Sequence, residues 1–561
     1  MAKITIDGNT YEVDPTRTII EAAEENGIEI PHFCWHPKLS VSGNCRMCLV
    51  EVEKMPKLVI ACSTRVADGM TVHTKNERVV HARNAVMEFL LINHPLDCPI
   101  CDEAGECKLQ DYAYKYSIGY SRFEEDKVHK PKRVQLGPNV KLDVERCIMC
   151  SRCVRFSDEI AHQPVLTFTQ RGDHVILTTF PGTELNNPYS MNVIELCPVG
   201  ALTSTDFRFR ARVWEMSSTD TVCSGCARGC NTKMWVRDNT ALRLTPRHNE
   251  DVNSYWMCDA GRLNTFKHIN SQERLDGPML RKEGRLQKVG WDEAIASVAS
   301  SLRRYKKSEI AGIGSAHATN EDNYVFQKFM KEGIGSKNVG FVEHVTEGDE
   351  DEFLIRADKT PNSTGAAAVG VRPAEGGLDA AGILKGIQSG TIKALYVMDD
   401  DLAASAEWKS ALESLDYLVV HSALANATTE HADVVLASST YAEKHGTFMN
   451  FQGRVQRLRP AVATLEHDRA LDGFSMSRWD KFASKNDRWG RPVKRDARPS
   501  WRILAAVGSA FGSKMRYTTS EEVFREIAES VPAFKGLSYL KIGTMGAVAQ
   551  AQKAGTAVRQ S

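Results

Sequence analysis

Fifteen cysteines lie between Cys34 and Cys258, and none follows. They fall into four groups. Cys34, Cys45, Cys48 and Cys62 form the first, and Cys98, Cys101 and Cys107, with His94 just upstream, form the second. Cys147, Cys150, Cys153 and Cys197 form the third, and Cys223, Cys226, Cys230 and Cys258 the fourth. Thiolate is a soft donor that takes iron into iron–sulfur clusters or zinc as a tetrahedral ion. The chemistry open to this chain is therefore one-electron transfer or metal-stabilised scaffolding. It resides in the N-terminal half, because the C-terminal half has no thiol to offer.

The spacing favours iron in each group, with structural zinc as the alternative. The first set fits a [2Fe–2S] ferredoxin variant with a long first loop, in which Ser42-Gly43-Asn44 and Arg46-Met47 turn backbone N–H groups toward sulfur. The second set has three cysteines, one short of a four-ligand cluster, and His94 is the neighbour that completes it through an imidazole nitrogen. An imidazole carries one negative charge fewer than a thiolate, so this cluster should differ in potential from the others. The third set reads C-x2-C-x2-C with a distant Cys197-Pro198. In two-cluster ferredoxins the fourth cysteine of such a run serves the other cluster. Only one run of that kind is present here, so Cys197 most simply closes the same [4Fe–4S] site. The fourth set reads C-x2-C-x3-C with Cys258 downstream.

The elements that must position these residues can be read from periodicity. Ile4, Ile6, Tyr11 and Val13 alternate around Asp7-Gly8-Asn9, which predicts a hairpin, and residues 18–26 predict a short helix ended by Gly27. Glu77 to Ile92 reads as a helix with Val79, Val80, Val86, Phe89 and Leu90 as its apolar positions. Residues 165–180 read as a hairpin turning at Arg171-Gly172-Asp173, and 232–236 and 241–244 as short strands. Beyond residue 270 the pattern is α/β: helices over 291–305 and 320–332, strands over 309–314, 392–398, 415–421 and 432–436. That alternation predicts mostly parallel, doubly wound sheets. Gly312-Ile313-Gly314 offers a weak phosphate-binding turn without the third glycine of the fingerprint, and tight strand–helix packing needs glycine as well. Residues 465–500 read as a connector, basic residues 127–133 as a solvated or partner-facing loop, and the tail after 547 as frayed.

A length of 561 residues implies several domains. Lys plus Arg and Asp plus Glu each number 71, so net charge gives no case for nucleic acid or an anionic membrane. No apolar run reaches the ~18 residues of a membrane span. Residues 1–14 lack the basic and apolar regions of a signal peptide, which predicts a cytoplasmic protein whose thiols bind metal instead of pairing.

With the four groups placed, the chain resembles the large iron–sulfur subunit (75-kDa type) of respiratory complex I, NADH–quinone oxidoreductase. The resemblance is carried by Ile30-Pro31-His32-Phe33-Cys34, Gly43-Asn44-Cys45-Arg46-Met47-Cys48, His94-Pro95-Leu96-Asp97-Cys98 and Ala104-Gly105-Glu106-Cys107. It continues through Glu145-Arg146-Cys147-Ile148-Met149-Cys150-Ser151-Arg152-Cys153-Val154-Arg155 and Cys197-Pro198-Val199-Gly200-Ala201-Leu202. Val289-Gly290-Trp291-Asp292-Glu293-Ala294, His431-Ala432-Asp433-Val434-Val435-Leu436, Glu443-Lys444-His445-Gly446-Thr447-Phe448, Asn450 and Gly453-Arg454-Val455-Gln456 resemble the molybdopterin oxidoreductase fold.

The resemblance implies a multidomain α/β chain: a β-grasp [2Fe–2S] ferredoxin-like domain (1–78), a His/Cys3 [4Fe–4S] domain (79–118), a [4Fe–4S] ferredoxin-type domain (138–210), a 4Fe–4S Mo/W-oxidoreductase-type domain (215–271), a molybdopterin-oxidoreductase-like α/β region (272–545) and a flexible tail (546–561). It implies one [2Fe–2S] cluster on Cys34, Cys45, Cys48 and Cys62. It implies [4Fe–4S] clusters on His94, Cys98, Cys101 and Cys107, on Cys147, Cys150, Cys153 and Cys197, and on Cys223, Cys226, Cys230 and Cys258, the last off the main electron path. No molybdopterin is expected, since the chain is short for the family and this region is trimmed. The implied partners are an NADH-oxidising FMN flavoprotein, a small [2Fe–2S] subunit, a ferredoxin-like subunit with two [4Fe–4S] clusters, and quinone-site subunits. The implied place is a peripheral arm on the cytoplasmic side of the inner (plasma) membrane. Competing readings are an NAD-dependent formate dehydrogenase or soluble hydrogenase subunit, and a zinc-stabilised scaffold. The formate dehydrogenase would need a Cys or selenocysteine in the C-terminal half, which has none.

Overall fold

Alternating apolar residues at the N-terminus form the hairpin Ala2–Ile6 and Asn9–Val13, with Ile4 opposite Tyr11 and Ile6 opposite Asn9. Asp7 (φ 47°) and Gly8 (φ 88°) make the two-residue turn, both left-handed as such a turn requires. The computed structural model describes residues 1–172, 174–467 and 493–550. Contacts divide the chain into two units, Met1–Glu215 and Met216–Ser561.

In the first unit the hairpin joins a five-stranded sheet ordered Asn9–Val13, Ala2–Ile6, Met70–His73, Leu49–Val52, Val59–Ile60. Ala2–Ile6 and Met70–His73 run parallel. Helix Ile19–Glu25 lays Ile19, Ile20, Ala22 and Ala23 onto this sheet against Ile4, Val50 and Val72. Burying each isoleucine stabilises the domain by about 1.5–3 kcal/mol. Thr18 and Glu21 form a capping box at the helix start, and Gly27 (φ 72°) lets the chain leave after Asn26. Strand–helix–strand order and the parallel central pair give the expected β-grasp.

Helix Glu77–Ile92 starts at Asn76, whose side chain accepts from the Val79 N–H. Its apolar face is narrower than expected: Val79 and Met87 are buried, while Phe89 is 76% exposed. Arg83 pins it to the sheet by donating to the Thr74 and Leu49 carbonyls. The basic stretch 127–133 is the expected loop, exposed at His129 and at residues 131–133, but its lysines are tied down. Lys127 donates to the carbonyls of Leu91 (2.9 Å) and Ile92 (2.6 Å), neutralising the end of that helix. Lys130 donates to the Val175 carbonyl, and Lys132 meets Asp97 and Glu145 at 2.7 Å each. The hairpin over Leu166–Thr169 and Ile176–Thr179 is present, and Asp173 of its expected turn lies outside the described residues.

The second unit opens with the antiparallel sheet Ser217–Val222, Asn231–Arg237, Thr240–Pro246. Its larger sheet is ordered Arg285–Lys288, Met279–Lys282, Val434–Ala437, Tyr417–Ser422, Ala394–Met398, Ile310–Gly314, Asn338–Phe341. The last five run parallel to one another, and the first two form an antiparallel edge, Met279–Lys282 also meeting Val434–Ala437 antiparallel. Tyr396 enters one core with Phe326 and Ile503, whereas Leu395 and Val397 enter another with Ile383 and Trp408. Helices thus cover both faces, which is why these strands are continuous apolar runs.

Several expected boundaries shift. Helix 291–305 ends at Leu302, and the helix from Asn320 ends at Lys328, continuing as a wider π turn over Phe329–Ile334. Gly312 and Gly314 sit within strand Ile310–Gly314. A Cβ at Gly312 would lie 2.8 Å from Met330 Cε, and one at Gly314 2.8 Å from Val371 Cγ1. Packing explains these glycines, so the phosphate-turn reading falls. The tail reading is corrected too: Ala547–Val548 is a strand paired with Arg454–Leu458, and Gln550 N donates to the Ala533 carbonyl. Residues 551–561 of that tail and 468–492 of the expected connector lie outside the described residues.

Buried charges brace this unit. Lys444 meets Asp322 at 2.6 Å and Arg274 meets Glu443 at 2.8 Å, all four side chains at most 4% exposed. Glu321 accepts from the Thr447 N–H (2.8 Å) and from the hydroxyls of Thr447 and Tyr539 (3.0 Å each). Burial pushes the Glu321 carboxyl up from 4.5 to about 7. A folded value above the unfolded one means stability falls as pH rises from 4.5 through about 7. Glu321→Gln keeps an acceptor for the Thr447 N–H and should remove that loss. Calorimetric melting should show the variant little changed near pH 4 and more stable than wild type at pH 8 by about 2 kcal/mol or more. Equal differences at both pH values would refute the assignment.

Candidate metal centres

The first cage is built by an irregular loop. Gly43 (φ 62°) and Arg46 (φ 60°) turn it so that the N–H groups of Asn44 and Cys45 face Cys34. Cys62, just after strand Val59–Ile60, and Ala61 direct theirs at Cys48. The Cys45 thiol donates to the Cys34 sulfur, and the Cys62 thiol to that of Cys48. Hydrogen bonding to Cys45 draws Cys34 down to about 5, while Cys45 and Cys62 are driven up by their partners and by burial. Cys34, Cys48 and Cys62 are each no more than 1% exposed. Four thiols in so small a space cannot all ionise without a cation between them.

The second cage takes His94 from the turn after helix Glu77–Ile92, Cys98 and Cys101 from the 3-10 turn Cys98–Ile100, and Cys107 from the start of helix Lys108–Tyr116. All four line one cavity with Asp97, Arg146 and Gly200. The helix points the N–H groups of Leu109 and Gln110 at the Cys107 sulfur. Burial, with help from the Arg146 and Lys127 charges, lowers His94 to about 4, which leaves its imidazole neutral and free to ligate. Gly200 forms a wall: a Cβ there would stand 2.3 Å from Cys101 Sγ.

In the third cage Met149 (φ 55°) and Ser151 (φ 63°) wrap the chain so that Cys147, Cys150 and Cys153 face Cys197, which follows helix Asn192–Leu196. The four line a second cavity whose walls include Phe168 and Leu177. The hairpin after Cys153 thus serves as an apolar cover. Backbone N–H groups of Arg152, Val199 and Leu202 face the sulfurs of Cys150 and Cys197. Burial pushes Cys153 and Cys197 well up, and the neighbouring thiols push them further.

The fourth cage lies in the second unit. Cys223 follows strand Ser217–Val222, Cys230 precedes Asn231–Arg237, and Cys226 stands in the loop between. Cys258 caps helix Asp259–Asn264, its sulfur accepting from the Gly261 N–H at 3.3 Å. A Cβ at Gly261 would stand 3.1 Å from Cys258 Sγ and 3.2 Å from Cys223 Sγ. Burial raises Cys230 well above its ordinary value, and Cys223, Cys226 and Cys258 repel its charge.

The fifteen cysteines and His94 are therefore brought together in the four expected sets. Soft donors, sulfur-facing N–H groups and glycine walls at Gly200 and Gly261 fit an iron–sulfur cluster in each. Among the described residues no group of three or more His, Cys, Asp or Glu side chains has the arrangement of a single metal-ion site.

Spacing did not disclose the residues that tie the cages together. Arg155 donates to the carbonyls of Cys34 (2.5 Å) and Cys150 (3.4 Å), and Asn44 donates to the Met149 carbonyl (3.0 Å). Arg152 joins the carbonyls of Trp35 and Leu196. Cys107 Sγ lies 3.9 Å from the Pro198 carbonyl oxygen, next to Cys197. In the second unit Gln456 donates to the Gly229 carbonyl (2.8 Å) and Asn231 Oδ1 (3.0 Å), beside Cys230. Such roles arise from contacts far apart in sequence, and only the family motifs held a signal for Arg152, Arg155 and Gln456.

Five family models match. A 2Fe–2S iron–sulfur cluster binding domain matches residues 1–77, and the NADH–ubiquinone oxidoreductase-G iron–sulfur binding region matches 83–122. The ferredoxin-like domain of NADH–quinone oxidoreductase subunit 3 matches 137–203. A molybdopterin oxidoreductase Fe4S4 domain matches 216–271, and molybdopterin oxidoreductase matches 274–362 and 359–470. An NADH–quinone oxidoreductase subunit of Rickettsia bellii (strain RML369-C) is 41% identical over 338 residues, 60% of this chain and 49% of the relative. The NADH–ubiquinone oxidoreductase 75 kDa subunit of Reclinomonas americana is 40% identical over 366 residues, 64% of this chain and 52% of the relative. The chain spans about half the length of the curated relatives it matches. A crystal structure of an NAD+-reducing [NiFe]-hydrogenase in the H2-reduced state is 29% identical, covering 38% of this chain and 91% of its own, with a TM-score of 0.32, too low a likeness to argue from.

Gly200→Ala should drive a methyl into the Cys101 sulfur and empty the His94 cage alone. Metal analysis with circular dichroism should find a folded chain short of one cage's metal. Full metal content would show that Gly200 is not a wall of that cage.

Proposed function

We propose that this chain, which resembles the large iron–sulfur subunit of complex I, is an electron-transfer subunit of an NADH–quinone oxidoreductase. It relays electrons from an NADH-oxidising FMN flavoprotein and a small [2Fe–2S] subunit toward a ferredoxin-like subunit and the quinone site. The observation that carries this reading is the convergence of fifteen thiols and one imidazole into four sets, three of them in one unit with interlocked loops. The matched relatives' names support it.

Cys34, Cys45, Cys48 and Cys62 would hold a [2Fe–2S] cluster. His94, Cys98, Cys101 and Cys107 would hold a [4Fe–4S] cluster, as would the sets closed by Cys197 and by Cys258. Clusters in these cages accept and release one electron at a time. The chain's own residues supply the rest. Buried thiols and the neutral His94 set the charge around each metal, N–H groups stabilise the reduced state, and Phe168 and Leu177 keep water from the Cys147 set. The molybdopterin-oxidoreductase-type region, residues 272–545, acts as a scaffold. Among the described residues no helix is long and apolar enough to cross a membrane, which agrees with a peripheral arm attached through partners.

Anaerobically purified chain should contain about 14 irons with matching sulfide and no molybdenum, as one [2Fe–2S] and three [4Fe–4S] centres require. Zinc in place of iron would overturn the relay. His94→Cys should retain its cluster and move one redox step seen by EPR to lower potential, because a thiolate adds a negative charge. An unmoved set of potentials would remove His94 from the ligands.

A further inference from the structure

Beside the His94 cage, within the same unit, a cleft of about 410 Å³ is lined by Lys132, Arg133, Arg146, Arg208 and Arg212 against a single carboxylate, Asp143. Nothing in the electron-relay reading uses it. Lys132 is balanced from behind by Asp97 and Glu145, and Arg146 by Asp97 (3.1 Å) and Asp143 (3.3 Å). Arg212 spends its guanidinium on the neutral carbonyls of Pro99 and Cys101 and keeps its charge. Arg208 lies over the Phe209 ring at 4.8 Å, and Arg133 stands exposed at the rim.

Four polar atoms on this lining are buried and without a hydrogen-bond partner: Arg146 Nε, which has only its ion pair to Asp143, Arg146 Nη1, Arg208 Nε and Asp143 Oδ1. Arg146 and Asp143 are each 3% exposed. Arg146 also borders the His94 cavity. Burial, then the Arg146 and Arg133 charges, push the Arg208 guanidinium down, with Asp143 and Asp102 opposing. Cations crowded in this way favour an anion, and planar guanidinium forks suit an oxyanion. The unpaired Asp143 oxygen adds a condition, because it repels a bare oxyanion and welcomes one that brings an O–H.

We propose that this cleft binds a phosphate group in a protonated form, its oxygens taking the unpaired Arg146 and Arg208 donors and its P–O–H donating to Asp143. The volume exceeds inorganic phosphate, which leaves room for a small phosphomonoester against Phe209. Sulfate has the same shape and no proton at neutral pH, whereas hydrogen phosphate keeps one and a phosphomonoester, with a second pKa of about 6, must bind as its monoanion, so Asp143 is the discriminating group. Binding here is independent of whether the cages carry iron or zinc, and it is read without turnover.

The test is isothermal titration calorimetry of the full, metal-replete chain with inorganic phosphate, phenyl phosphate and sulfate at fixed ionic strength. Phosphate should bind saturably with one site per chain, and sulfate at least tenfold more weakly. Tighter binding of phenyl phosphate than of phosphate identifies an esterified ligand, and the reverse order the free ion. Arg133→Ser with Arg208→Ser, away from the cage ligands, should weaken phosphate at least tenfold with metal content unchanged. Asp143→Asn should bring sulfate up to phosphate. Absence of saturable binding, or binding untouched by the double substitution, overturns the site. Equal affinity for sulfate and phosphate in the wild-type chain overturns the role of Asp143.

Discussion

Thiols gathered within reach of one another repel as soon as they ionise, and remain poor ligands until they do. The fold has to resolve that conflict four times, three times with four cysteines and once with three and His94. It does so with elements that would be unstable for their own sake: left-handed turns at Arg46, Met149 and Ser151, N–H groups aimed at sulfur instead of carbonyl, and positions where no Cβ fits. Each device lowers the cost of negative charge in a confined space. Cys34 and Cys45 share a hydrogen bond between their sulfurs, so ionising one holds the proton on the other.

The first unit gathers three cages with a small number of arginines. Arg152, Arg155 and Arg146 all come from the third cysteine motif, yet their guanidinium groups reach carbonyls or carboxylates beside the first and second cages. A motif that looks local is therefore the hub of the unit. Arginine suits the task because one planar fork can hold several carbonyls while its charge offsets nearby thiolate. In the second unit the buried pairs Lys444–Asp322 and Arg274–Glu443 do comparable work, holding the sheet and its loops in one arrangement.

The cysteine sets were legible in the sequence because metal ligation imposes short, repeated spacings that nothing else in the chain shares. Helix Glu77–Ile92 was legible in its bounds but not in its face, since Arg83 and not Phe89 makes the inward contact. The doubly wound sheet followed from continuous apolar runs, whereas the π turn after Lys328 left no mark in periodicity. Gly312 and Gly314 look alike for a phosphate turn and for close packing, and only the nearness of Met330 and Val371 separates the two. Lys127 and Lys132 read as solvated because charge alone does not reveal a carbonyl or carboxylate waiting elsewhere in the chain.

The short strand Ala547–Val548 pairs with Arg454 and Val455, next to the Gln456 that secures the loop before Cys230. The last of the fourth set of ligands, Cys258, leaves the ribosome some 290 residues before that strand. A chain growing from its N-terminus can complete the first three cages while synthesis continues. The fourth has the pairing of Arg454–Leu458 with Gly446–Met449 behind its loop before that strand arrives, and gains the last edge of the sheet only afterwards. A polypeptide cut short before Val548 would therefore lack one of the contacts that steady the fourth set of thiols.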